Sequence, residues 1–290
     1  MITLLSAKLS RQLQAYSIQS GKLKRSWQKG SRKSSRFGSS HDFSDYRVYQ
    51  PGDDLRQVDW NIYARTNKHY IKRYLDEQEL SVSIYLDCTK SMSVLPEKWE
   101  LAKQLTASIA YIGLCNDDRI SIIPVHSEDA PYLYRKGKSY LYEMVRVVEN
   151  IKPKDTTALF SEEVAQTIQR KSSISIVITD LMEPISSVEL TLKKIQANRQ
   201  QVLLLHLVDK EELEPTFTGD FLLEDSETKQ GVNVTVTDYT RKSYITKMNN
   251  RIEYMKSFCF ERGISYLLCS SSERIEDILF KRMTSQGWIR

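Results

Sequence analysis

Ser81-Val82-Ser83-Ile84-Tyr85-Leu86-Asp87-Cys88-Thr89-Lys90-Ser91-Met92 is a compact apolar run followed by one carboxylate and two hydroxyls. The run Ser81 to Leu86 reads as a strand buried on both faces. Comparable runs follow at Arg119 to Val125, Ser173 to Thr179, Gln201 to Leu207 and Ile264 to Leu268. Between them, apolar residues recur at helical spacing: Trp99, Leu101, Leu105, Ile109 and Ile112, then Met144, Val147 and Val148, then Val164 and Ile168, then Leu192 and Ile195. Strand and helix therefore take turns. That alternation predicts a doubly wound, mostly parallel α/β sheet of Rossmann-like type, because right-handed strand-helix-strand units cover a sheet on both faces. Ligands of such sheets lie beyond the carboxyl ends of the strands, so the residues just after each apolar run are the ones that matter. The interval Thr216 to Val236, with Gly219 and Gly231 between apolar runs, reads as a β-ribbon inserted near residues 214–238.

The 290 residues, 40% hydrophobic and 27% charged with only 10 Gly and 7 Pro, have the composition of an ordinary globular protein. No stretch approaches the roughly 18 uninterrupted apolar residues of a membrane-spanning helix, and no apolar signal core opens the chain, so a cytoplasmic protein is expected. Cys88, Cys115, Cys259 and Cys269 are scattered, contain no C-x-x-C pair and read as reduced thiols. The net charge of +5 hides an asymmetry: residues 1–36 carry nine Lys or Arg and no acid, leaving 33 basic against 37 acidic residues elsewhere. This basic arm offers an attraction for nucleic acid or an anionic membrane surface, although a solvated segment is the commoner meaning of a charge run. Within it, Ile2, Leu5, Leu9, Leu13 and Tyr16 outline a short amphipathic helix packed on its own domain, and Ser26 to Ser40 reads as a tether. The expected division is an arm over 1–36, a second element over 37–80 and the α/β domain over 81–290.

If the Ser81 and Ser173 runs are neighbouring strands, the chemistry gathers at one sheet edge. Asp87, Thr89 and Ser91 stand in a strand-to-helix loop, Asp180 ends the Ser173 to Thr179 run, and Thr157 precedes a helical stripe. Two carboxylates with hydroxyls suit a hard cation, Mg2+ or Mn2+, better than zinc, and such an ion keeps positions for water or an outside carboxylate. The competing account is that Thr89 and Ser91 cap the following helix while Asp87 and Asp180 are ordinary strand-end residues.

Asp87-x-Thr89-x-Ser91, Thr157 and Asp180 resemble the metal-ion-dependent adhesion site of von Willebrand factor A domains, with Thr89 where serine is commoner. Upstream, the string Gly38 to Trp60, including Pro51-Gly52-Asp53-Asp54-Leu55-Arg56-Gln57-Val58-Asp59-Trp60 and continuing to Ala64-Arg65, is similar to the signature of the bacterial "domain of unknown function 58" family. The resemblance, supported also by Gly219 to Glu227, implies a von Willebrand factor A-like domain preceded by a small β-rich element. It further implies association with MoxR-type AAA ATPases in assembly or maturation of protein complexes. Many members look membrane-anchored through two N-terminal helices; this chain looks like the short, soluble type.

Pro51-Gly52-Asp53-Asp54 is a strong turn signal. Asp53, Asp54, Arg56, Asp59 and Arg65 are expected to form an ion-pair cluster holding that loop, with Trp60 and Tyr63 packed on the sheet. The expected function is a non-catalytic, cation-dependent adaptor whose ion accepts a carboxylate from the ATPase or its client. The alternative is a metal-dependent nuclease or phosphoesterase using Asp53, Asp54 and Asp59, or His41 and Asp42, with the basic arm on phosphate. A hydrolase built on Ser91 or Cys88 with His41, His69, His126 or His206 lacks a G-x-S-x-G elbow, and neither G-x-x-x-x-G-K-[ST] nor G-x-G-x-x-G is present for nucleotide binding.

Overall fold

The apolar runs become a six-stranded sheet in the computed structural model, which describes residues 4–20, 43–51, 53–74, 80–154, 158–216, 219–224 and 231–290. The chain divides into two units, 1–22 with 80–290, and 23–79. In chain order the elements begin with α1 (Ala7–Leu13), β1 (Phe43–Val48), α2 (Trp60–Thr66) and β2 (Tyr70–Tyr74). Then come β3 (Ser81–Asp87), α3 (Lys90–Ser93), α4 (Pro96–Cys115), β4 (Arg119–Val125), β5 (Tyr132–Lys136), α5 (Leu141–Asn150), α6 (Phe160–Thr167), β6 (Ile174–Thr179) and α7 (Ile185–Ala197). The chain closes with β7 (Gln201–Val208), α8 (Lys210–Leu213), β8 (Gly219–Glu224), β9 (Gly231–Val236), α9 (Asp238–Glu261), β10 (Ser265–Ser270) and α10 (Ile275–Asp277), the last running into a wider π-helical turn, Ile278–Met283.

The sheet order is β10-β7-β6-β3-β4-β5, with every pairing parallel except the edge pair β4–β5. Its central strands are buried on both sides because each alternates between two cores. Ile84 and Leu86, Ile176 and Ile178, and Leu203, Leu205 and Leu207 face one core with α4 and α5, whose Leu101, Leu105, Ile109, Met144 and Val148 complete it. Tyr85, Val177, Val202 and Leu204 face the other, completed by Phe160 and Val164 of α6, Leu192 and Ile195 of α7, and Met255 and Cys259 of α9. The five strands read from the sequence all form. β5 was not among them: beyond Tyr132 it is a half-exposed edge carrying Arg135 and Lys136, the polar composition by which edge strands avoid further pairing.

Counting strands in chain order, the sheet runs 6-5-4-1-2-3, so the winding direction reverses between β3 and β6. The crevice at such a reversal is where this architecture leaves room for a ligand.

The segment read as a basic arm divides in two. Leu5, Leu9 and Leu13 of its helix stripe are buried in the core beneath α4, and Ser6 caps α1 by accepting from the Leu9 amide at 3.1 Å. Tyr16 stacks on Phe280 with ring centroids 4.7 Å apart, and Ile18 bridges Ile289. Gly113 of α4 permits this closeness: a Cβ there would collide with Ile120 of β4 and touch Ile18. Residues 4–20 are therefore part of the larger unit. Seven of the nine basic residues, Lys22 to Arg36, lie outside the described residues, as does Ile2.

The insertion is the antiparallel pair β8–β9, with Phe221 opposite Val234. In the smaller unit β1 and β2 pair antiparallel around α2. Among the described residues no helix is long and apolar enough to cross a membrane. All four cysteines are free thiols, three of them buried.

Candidate functional site

Side-chain alternation puts Asp87 on the same face of β3 as Tyr85, and Thr179 on the same face of the neighbouring β6 as Val177. Thr179 accordingly donates its hydroxyl to Asp87 Oδ2 at 2.6 Å. The loop after β3 then folds back on the other oxygen: Asp87 Oδ1 accepts from the Thr89 amide at 2.9 Å and from the Thr89 hydroxyl at 2.7 Å. Ser91 Oγ lies 3.0 Å from Thr89 Oγ1. Thr89 occupies the N-cap of α3 with extended backbone, φ −66° and ψ 163°, yet its hydroxyl makes no capping bond. Helix capping therefore does not account for Thr89; its side chain is committed to Asp87.

Asp180 follows β6 at the same rim. Its Oδ1 accepts from the Met182 amide at 3.2 Å, and its carbonyl lies 3.0 Å from His206 Nε2 on β7. His206 Nδ1 is in turn 2.7 Å from the Tyr266 hydroxyl on β10, so the imidazole spans two strands as a neutral ring, its pKa pushed down to about 4 by burial. Leu181, next in the chain, has φ +56°, a conformation that a branched residue adopts only when its surroundings hold it there. The hold is visible: Arg251 of α9 donates to the carbonyls of Leu181 and Glu183, and Glu183 accepts from the Ser161 amide at 3.0 Å and its hydroxyl at 2.8 Å at the start of α6. Thr157, the remaining proposed ligand, lies outside the described residues.

Asp87 and Asp180 are each 2% exposed. Burial, reinforced by the charge of Asp180, pushes the Asp87 carboxyl up to about 7. The compensating cation is one the sequence reading missed. Lys98 of α4 is 0% exposed, and its Nζ lies 3.0 Å from Asp180 Oδ2 and 2.7 Å from Glu212 Oε1. Burial alone would depress the Lys98 pKa, but Asp180 and Glu212 together hold it above the ordinary lysine value. The signal was present: Lys98, Leu101, Ala102 and Leu105 share one helical face, so the buried stripe begins one residue before Trp99 with a charged residue on it.

Asp87, Thr89, Ser91 and Asp180 bring only oxygens to the crevice between β3 and β6. That set fits a hard divalent cation, since a bound positive charge would relieve the repulsion that raises Asp87. Among the described residues no three His, Cys, Asp or Glu side chains gather as a softer or wholly acidic metal cluster. Among the described residues, Cys88 and Ser91 make no contact with a histidine. Cys88 points at the Leu86 carbonyl, 3.4 Å away, with its thiol pushed well above the usual range by burial, and Ser91 contacts Thr89 rather than a histidine. His69 stacks on Tyr63 at 4.4 Å, and His126, although its Nε2 is 2.9 Å from Glu163, lacks the alignment of a hydrogen bond. His41 lies outside the described residues.

In the acidic turn of the smaller unit Asp54 and Arg56 lie within ion-pair distance, 3.6 Å, and Asp53, Asp54 and Asp59 each also accept from nearby backbone amides. After Pro51, and with Gly52 outside the described residues, Asp53 accepts from the Gln50 amide at 2.8 Å and from Arg47 at 2.6 Å, which holds its carboxyl below the usual range. Asp54 caps the single turn Leu55–Gln57 through the Arg56 amide at 3.0 Å. Asp59, buried, caps α2 through the amides of Asn61 and Ile62 at 2.9 and 3.2 Å, and accepts from the Tyr46 hydroxyl at 3.0 Å. Arg65 Nε donates to the Asn61 carbonyl at 3.3 Å. Trp60 is 56% exposed and meets Tyr63 and His69 edge-on rather than packing away.

Three mycobacterial proteins are similar to this chain, among them "Uncharacterized protein Rv1480" of Mycobacterium tuberculosis (strain ATCC 25618 / H37Rv) and "Uncharacterized protein Mb1516" of Mycobacterium bovis (strain ATCC BAA-935 / AF2122/97). Each is 25% identical over 199 residues, an alignment that takes in 66% of this chain and 62% of the relative's own length. Among solved structures, BatB from Bacteroides thetaiotaomicron aligns over 72% of this chain and 98% of its own at 14% identity with a TM-score of 0.41. An aerotolerance-related membrane protein from Bacteroides fragilis NCTC 9343 aligns over 71% and 99% at 14% identity with a TM-score of 0.37. The profile described as "Protein of unknown function DUF58" matches residues 45–253, from β1 to the middle of α9, and the chain belongs to that family.

Proposed function

We propose that the larger unit is a von Willebrand factor A-like domain that binds a protein partner through a Mg2+ or Mn2+ ion, and that the protein is a non-catalytic adaptor. What supports this reading is that Asp87, Thr89 and Ser91 follow β3 and Asp180 follows the neighbouring β6, where the sheet reverses its winding, with Asp180 near enough for its charge to act on Asp87. Asp87, Thr89 and Ser91 would hold the ion with Asp180 beside them, Thr157 adding a hydroxyl. Such an ion would supply Lewis acidity and open positions that suit a carboxylate of the partner. The resemblance to the family names the partner as a MoxR-type AAA ATPase or its client, in complex assembly or maturation in the cytoplasm.

The adaptor reading is favoured over a hydrolytic one by the state of the rim. Lys98 is held as an ammonium by two carboxylates and is no general base. For a nuclease, Asp53, Asp54 and Asp59 would have to converge, and each serves a different local bond.

The test is Mn2+ and Mg2+ titration by calorimetry on the wild type and Asp87→Ala, followed by capture of the purified ATPase with and without chelator. Ion binding lost in Asp87→Ala, with capture lost both there and in chelator, is the expected result. Equal capture in all three conditions overturns the proposal.

A further inference from the structure

Among the described residues Lys98 is the largest charged side chain buried without any exposure, and it belongs to no proposed ligand set. Its stem leaves the first turn of α4 and brings the ammonium between the Asp180 carboxylate, 3.0 Å away, and Glu212, 2.7 Å away. Glu212 is itself fixed: its second oxygen accepts from the Asp209 amide at 2.7 Å, closing the capping box of α8, and Asp209 bonds Ser271 beyond β10. The ammonium is thus anchored from the β7 side of the crevice and applied to the carboxylate on the β6 side. A buried ion pair is seldom kept for stability, since desolvation offsets most of its attraction. At this position it has an electrostatic use.

Resting on the cation reading of the site, we infer that Lys98 is a positioning residue acting as a tethered counter-ion: it neutralises Asp180, holds it at the rim beside Asp87, and keeps the affinity for a divalent ion low enough to be exchangeable. Two carboxylates at neighbouring strand ends, nearly out of water, repel each other unless a positive charge lies near. Lys98 supplies that charge permanently, so the pocket forms before any ion arrives. The same charge opposes an incoming divalent ion, because at the effective dielectric of a protein a unit charge a few ångströms away still counts. Partner capture would then be governed by the ion and the partner's carboxylate together, neither being held tightly alone.

The test uses the full chain, Mg2+ alone, and two neutral variants. Lys98→Gln keeps hydrogen-bond donors for both acids, and Lys98→Met with Glu212→Gln removes the ammonium together with its second partner. Both are expected to bind Mg2+ about tenfold more tightly than the wild type or better by calorimetry, and to gain more in melting temperature from Mg2+ than the wild type gains. Wild-type affinity in both folded variants overturns the role of Lys98 and leaves the cation site standing. Absence of Mg2+ binding in the wild type and in both variants sinks the site and the inference together. Failure of both variants to fold in chelator and in Mg2+ alike shows Lys98 holding the fold rather than tuning the site, and also overturns it.

Discussion

Thr179 and Asp87 are bound across the β3–β6 pair, hydroxyl to carboxylate, at 2.6 Å. The bond ties together the two strands between which the sheet changes direction, and it leaves Asp87 Oδ1 to the Thr89 loop. Thr179→Val keeps the volume, removes the donor to Asp87 and also removes the acceptor of the Leu181 amide, 3.1 Å away. It is expected to lower stability by roughly 1.5–3 kcal/mol, the range for a hydrogen bond to a buried charged group. Urea unfolding followed by circular dichroism measures it, and a loss below about 0.5 kcal/mol would show that Asp87 is neutral or otherwise satisfied.

Thr89 places a methyl group where a serine would leave space, but keeps the hydroxyl at 2.7 Å from Asp87 and 3.0 Å from Ser91. On the cation reading, Thr89→Ser binds Mn2+ within about threefold of the wild type, while Thr89→Val, nearly isosteric but without the oxygen, loses about tenfold or more. Calorimetric titration of the two proteins compares them directly. If Thr89→Val binds as well as Thr89→Ser, the hydroxyl is no ligand.

His206 sets a pH dependence whose sign follows from its burial. Its pKa is about 4 in the folded protein and about 6.5 when exposed, so the unfolded chain takes up a proton first as pH falls. The stability this group contributes is complete above about pH 6.5 and is lost progressively as pH falls toward 4, by roughly 3 kcal/mol in all. His206→Gln retains an amide donor toward the Asp180 carbonyl and does not titrate. Its stability between pH 7.5 and 5 is expected to fall less steeply than that of the wild type; parallel slopes in urea titrations at the two pH values would assign the acid sensitivity elsewhere.

The sheet was legible because buried parallel strands such as Ile174 to Thr179 are short, largely β-branched apolar runs that alternate with helical stripes. The rim acids were legible for the same reason: each is the first polar residue after such a run. β5 was not, since an edge strand shares its polar pattern with loops. α9 carried its signal in only half its length, where Met248, Ile252, Met255 and Cys259 are buried while Tyr239 and Tyr244 face solvent. Lys98 was not legible from its residue type; its place on the buried face of α4 with Leu101, Ala102 and Leu105 is what marks it. The local bonds of Asp53, Asp54 and Asp59 were not legible, because adjacency in sequence suggests one cluster while turn and helix-start geometry also turns each carboxylate toward its own amides.

Asp59 and Asp54 separate those local roles experimentally. Asp59 is buried, caps α2 and receives the Tyr46 hydroxyl, whereas Asp54 is exposed and caps a single turn. Asp59→Ala is expected to cost about 1–2 kcal/mol and to loosen residues 43–74 in hydrogen exchange, while Asp54→Ala changes stability by less than about 0.5 kcal/mol. Equal protection in the two variants would remove the capping account of Asp59.

The N-terminal segment provides the sharpest contrast between charge pattern and structure. Its basic residues in α1, Lys8 and Arg11, point outward, but Leu9 and Leu13 lie beneath α4 with almost no exposure. Leu13→Ala leaves a cavity between α1 and α4 and is expected to cost roughly 2–5 kcal/mol, whereas a leucine on a solvated arm would cost nothing measurable. Lys8→Ala with Arg11→Ala, in contrast, is expected to stay within about 0.5 kcal/mol of the wild type. Thermal and urea unfolding of the two proteins gives both numbers, and a Leu13→Ala protein as stable as the wild type would return residues 4–20 to the status of an arm.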